Sequence, residues 1–202
     1  MSQKPYIRVI ILSVLCVLAA AANFLLSTFS FYFLKIPLYL DTVFSAALCF
    51  GFGLVPGLAA AILSHIVFGI RDGGFTPYIV CSLAEIFIVW RLRPAGKKMV
   101  SESAVSLLGS LLLLYITACA AVSVLGGIID YFYHVVFSVE KFYFSPEDTV
   151  KISLLRGGTP ALVMNILSRF PVNIVDRFIV IFGGYFISRG LIAGSVAGRC
   201  EE

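Results

Sequence analysis

The sequence predicts an all-α integral membrane protein: a bundle of six transmembrane helices with a long outer loop and a short helix between the fifth and sixth. Three observations carry this reading. Of the 202 residues, 60% are hydrophobic and only 13% charged, where soluble domains carry about 25% charged residues. The mean hydropathy is +1.01, more apolar surface than a soluble core of this size hides from water. The apolar residues also form runs separated by short polar or basic connections. Each run approaches the roughly 20 residues a span needs, or is shorter and suited to the inside of a bundle.

The first run, about 7–28, follows Lys4 and Arg8. Its apolar stretch reaches about Ser30 with no clear cleavage site after a short core, so a retained span is expected rather than a leader. The second and third runs, about 39–52 and 55–70, are parted only by "GFGLVPG" and form a tight helical hairpin. The fourth, about 77–90, is short. The fifth, about 105–131, is long, and the sixth covers about 171–188. Before it lies a long aromatic-rich segment, 132–170, in which Pro160 is placed to start a short interfacial or re-entrant helix. A seventh, partial span there is the alternative, and it would move the C-terminus to the other side.

Basic residues set the orientation. Lys4, Arg8, the "RLRPAGKK" connection and Arg189 with Arg199 fall on one side when six spans are counted. That side is expected to be cytoplasmic, with both termini, in a multi-pass protein of the cell membrane. Lys35, Arg71, Lys141, Lys151, Arg156 and Arg169 lie on the opposite side, four of them in the long 132–170 segment where the rule is weakest. The net charge of +4 fits this scatter and gives no sign of a nucleic-acid partner.

Polar residues inside the runs are costly in lipid and are candidate site residues. Asn173, Asp176 and Arg177 share one helical sector, within roughly 10 Å of Pro171 along the axis. They face a polar solute or pair with other helices. Tyr78, Ser82 and Glu85 share another face, and Glu85 is either a pocket residue or the partner of a base such as Arg177. Asp130, Tyr131, Tyr133 and His134 cluster at the outer end of the fifth run, as pocket residues or an interfacial aromatic belt. Asp41 is expected to cap the second helix, and His65 to be a structural imidazole. Small residues recur every four positions at Gly53, Gly57 and Ala61 and at Cys16 and Ala20, a pattern that brings helices close.

Cysteine spacing shows no CxxC or CxxH, so neither a disulfide framework nor a metal site is expected. No nucleotide-binding loop, GxSxG or HExxH occurs, and no cofactor is indicated. An enzyme is not expected. A small membrane enzyme would have to draw on Asp176, Arg177 and Glu85 alone.

"IPLYLDTVFSAALCFGFGLVPGLAAAILSHIVFG" resembles the second and third helices of the substrate-binding S components of energy-coupling factor (ECF) transporters. "FPVNIVDRFIVIFGGY" resembles their last helix, with its Asn-x-x-Asp-Lys/Arg element. The resemblance implies a six-helix subunit that captures a vitamin or similar micronutrient at its outer face. It also implies a transmembrane T component and two ATPases as partners in the bilayer. Carried over, the binding residues are Tyr78, Glu85, Asp130, Tyr131, His134, Asn173, Asp176 and Arg177. The family's small-residue docking pattern falls on Cys16 and Ala20. A membrane sensor binding a small ligand is the alternative. A free Glu85 would suit a cationic, ring-containing substrate such as a thiamine-like compound, and a free Arg177 an anion. If the two pair, neither inference stands.

Overall fold

The computed structural model describes residues 5–34, 38–72, 77–94, 104–138 and 148–197. Among them there is no strand. The helices are α1 (Pro5–Thr28), α2 (Val43–Phe52), α3 (Leu54–Asp72), α4 (Ile79–Leu92), α5 (Ala104–Asp130), α6 (Asp148–Arg156), α7 (Ala161–Leu167), α8 (Phe170–Phe178) and α9 (Gly184–Ala197). Widened, π-type turns extend α1 over Phe29–Phe33 and α5 over Tyr131–Val136, and a third, Ile179–Gly183, joins α8 to α9 in one run.

The six apolar runs thus appear in the expected order, the sixth as α8 and α9 together. Among the described residues, four stretches are long and apolar enough to cross a membrane: Val9–Phe33, Leu54–Arg71, Ala104–Val136 and Ala161–Ala193. The hairpin helix α2, with 10 residues, and α4, with 14, are shorter than that. The segment before α8 holds two short helices, α6 and α7, where the sequence suggested one. Pro160 precedes α7 as its N-cap, as its fixed backbone angle favours.

The short α2 sits at the centre. It packs against α1, α3, α4, α9 and the π turn before α9, and Ser45 through Phe50 are all buried. Its small side chains permit this. Gly184 would place a Cβ 3.1 Å from the Val43 carbonyl oxygen, and Gly57 one 2.6 Å from Cys49 Cβ, so a larger residue at either position would push α9 or α3 away. Gly53 turns the α2–α3 hairpin at φ 106°, a conformation side chains disfavour. Arg93 closes the same end by donating to the Cys49 and Phe50 carbonyls; the Cys49 carbonyl also accepts from the Gly53 N–H at 3.1 Å, and the last carbonyls of a helix need such added partners.

Buried polar bonds join the helices. Asn23 of α1 donates to Ser45 at 2.9 Å and Ser64 at 3.0 Å, and accepts from the Phe44 N–H at 2.9 Å. His65 pairs with Ser82 at 2.8 Å, the structural role expected of it. Outward, α1 exposes Val9, Val14, Val17 and Leu25, and α5 exposes Val105, Leu113 and Ile116. Such continuous apolar faces belong against lipid or another apolar partner.

Candidate functional site: two buried polar clusters

Because α2 begins only at Val43, residues 38–42 approach it in a non-helical conformation. Irregular backbone at membrane depth is tolerated where protein buries it and satisfies its polar groups. Here α8 does so: the Leu40 N–H donates to Asp176 Oδ1 at 2.9 Å. Leu40 itself has φ 48°, a left-handed conformation uncommon for a non-glycine residue.

The inner cluster forms around Arg177. One guanidinium nitrogen, Nη1, donates to Glu85 Oε2 of α4 and, at 3.2 Å, to Thr42 Oγ1. The other, Nη2, donates to Asp176 Oδ2 and faces Asp41 Oδ1 at 3.4 Å. Thr42 in turn donates to Glu85 Oε2 at 2.7 Å. Glu85 and Asp176 are fully buried, while Asp41 keeps 22% of its side chain exposed. Three carboxylates therefore share one guanidinium. Among the described residues, two polar atoms, Glu85 Oε1 and Arg177 Nε, are buried with no hydrogen-bond partner.

Four residues toward the start of α8, Asn173 donates to Ser123 of α5 at 2.9 Å. Asn173, Asp176 and Arg177 are the buried residues of α8, so the shared sector expected from their spacing is present.

The outer cluster forms around Asp130 at the end of α5. Arg169 donates from Nε to Oδ2 at 3.1 Å and from Nη2 to Oδ1 at 2.9 Å. Such two-pronged pairs are among the stronger polar contacts. Lys151 of α6 donates to Oδ2 at 2.6 Å, and the Tyr78 hydroxyl donates to Oδ1. The Arg169 guanidinium also lies 4.9 Å from the centroid of the Tyr78 ring. Lys151 also has Asp148 3.9 Å away. Two glycines let the segment down onto α5. A Cβ on Gly126 would fall 2.7 Å from Arg169 Nη1, and one on Gly127 2.5 Å from the Ile166 Cα.

Of the residues singled out from the sequence, Glu85, Asp176 and Arg177 come together, and Tyr78 and Asp130 come together. Glu85 and Arg177 pair, so neither of the simple substrate inferences from a free Glu85 or a free Arg177 stands. Tyr131 and His134 lie in the π turn beyond Asp130, their rings edge-on to Phe132 and Tyr133. The expectation for Asp41 is corrected: Thr42 occupies the N-cap position of α2 with no side-chain capping bond, and Asp41 faces Arg177 because that guanidinium is the nearer compensating charge. Cys16 and Ala20, the suggested docking residues, are buried inside the bundle, with the Cys16 thiol 3.5 Å from the Pro56 carbonyl oxygen. There Cys16 serves the contact of α1 with α3. In the second stripe Gly57 and Ala61 are likewise buried inside the bundle, while Gly53 forms the turn between α2 and α3.

Arg169, Lys151, Thr42 and Ser123 were not singled out. A signal for Arg169 existed, since Arg169, Asn173 and Arg177 repeat at intervals of four, the spacing of one helix face. Lys151, on a short helix far along the chain, carried none. Among the described residues no group of three His, Cys, Asp or Glu side chains is placed to hold a metal ion.

Compared with known proteins, the chain matches no family model, no curated sequence and no solved structure. What the fold and site define is a class: an all-α protein with helices suited to a membrane and two polar clusters buried within it.

Proposed function

We propose that this chain is the membrane-embedded, substrate-binding subunit of an ECF-type importer, which captures a vitamin or related micronutrient at its outer face. In this reading all six runs are spans, both termini are cytoplasmic, and a T component with two ATPases supplies the driving force. The observation that carries the proposal is the inner cluster. It gathers the cost of burying four ionisable side chains in one place, between α2, α4 and α8, and leaves two of their polar atoms unsatisfied. Ionisable groups at membrane depth mark substrate pathways by default. The resemblance of residues 36–69 and 170–185 to S components supports the same reading.

The test is thermal unfolding of the purified chain in detergent, without ATP, against water-soluble vitamins, their precursors and nucleobases. At least one compound is expected to raise the unfolding temperature by several degrees. A panel with no shift would count against a binding subunit.

A further inference from the structure

The pairing of Glu85 with Arg177 does not neutralise the inner cluster. Asp41 and Asp176 press on the same guanidinium, and among the described residues no second cation pairs with any of the three carboxylates. The N-terminus of α2 offsets only about half an elementary charge. In the outer cluster Arg169 and Lys151 have their own carboxylates in Asp130 and Asp148. Buried charges without compensation are strongly unfavourable, so the cluster calls for a further positive charge: a proton on a carboxyl, which at Glu85 Oε1 would be left with no acceptor among the described residues, or a cation.

The form of that charge follows from the donors and acceptors present. The described carboxylates are not arranged to ligate a metal ion. The orphaned Glu85 Oε1, on a fully buried side chain, is an acceptor waiting for an N–H or O–H. Asp41 keeps part of its carboxylate open, on the chain segment that leads into α2. We infer that the inner cluster holds a ligand bearing a protonated amine, with Glu85 Oε1 and Asp41 as its acceptors. This rests on the binding-subunit reading and adds the charge class of the substrate. The orphaned Arg177 Nε is a donor, so the same ligand carries an acceptor close to its amine.

The experiment compares matched probes on the full chain in detergent. Each amine is paired with its hydroxyl counterpart, such as pyridoxamine with pyridoxine, and simple alkylamines are added beside neutral and anionic vitamins. The amine member of a pair is expected to raise the unfolding temperature and its counterpart not to. Glu85→Gln is expected to weaken amine binding at least tenfold. Asp41→Asn, at a partly exposed position that tolerates change, is expected to weaken it less. Binding of only neutral or anionic compounds, unchanged in both variants, would overturn the inference and leave the binding subunit standing. Silence of the whole panel would overturn both. Lys35 lies outside the described residues and is close to Asp41 in sequence. Amine binding that appears only in Lys35→Gln would assign the missing charge to that lysine and likewise overturn the inference.

Discussion

The clusters at Asp130 and Arg177 are built from the same side-chain types and differ in balance. At Asp130 a buried carboxylate meets two cations and a phenol, and both of its oxygens are used. At Arg177 one guanidinium meets three carboxylates, and an acceptor and a donor are left over. The first arrangement is complete in itself. It ties α4, α5, α6 and the turn before α8, and its worth is structural. The second is incomplete, and groups left unsatisfied in a low-dielectric interior are expensive. The difference teaches that burial of charge alone does not distinguish a strut from a site; the state of the last lone pair does.

Arg177→Met breaks the comparison most severely. It strands three carboxylates, and removing one partner of a buried ion pair costs about 3–5 kcal/mol. Loss of folded protein, or a large fall in the denaturation midpoint in detergent, is the expected result. Unchanged stability would mean that the carboxylates are compensated elsewhere.

A pair of like substitutions then sharpens it. Asp130→Asn removes the charge that holds Arg169 and Lys151, and lost hydrogen bonds to charged groups cost about 1.5–3 kcal/mol. Lys151 is 13% exposed and can turn to solvent, which holds the effect toward the lower end. Asp41→Asn removes one of three competing carboxylates, so its effect is expected within about 0.5 kcal/mol of zero, or stabilising. Urea or thermal unfolding of both variants reads the contrast. Equal destabilisation would deny that the clusters differ in balance.

Much of this was legible in the sequence, for physical reasons. Apolar runs follow from the demand that spans be apolar, and all six appear as helices. The sector of Asn173, Asp176 and Arg177 follows from helical periodicity. Partner choice did not follow. Periodicity places Arg177 on a face, but that Glu85, Asp176 and Asp41 all reach it depends on α2 starting late and on Leu40 taking a left-handed turn. The central position of α2 was equally hidden, because a 10-residue apolar helix reads the same at a core or an edge. Cys16 and Ala20 show the converse limit: a small-residue stripe signals close approach but not which helix approaches.

Asn173 gives the most direct measurement of the central claim, that the inner end of α8 forms a binding site. It lies on the same helix face as Asp176 and Arg177 and carries no charge, and its side-chain hydrogen bond to Ser123 is worth about 1 kcal/mol to folding. The affinity of Asn173→Ala for the compound that most stabilises the parent would be measured beside its ligand-free unfolding temperature. The account predicts affinity reduced at least tenfold with the unfolding temperature lowered by only a few degrees. Unchanged affinity, or loss of binding only in proportion to loss of folded protein, would contradict it and return Asn173 to a purely structural role.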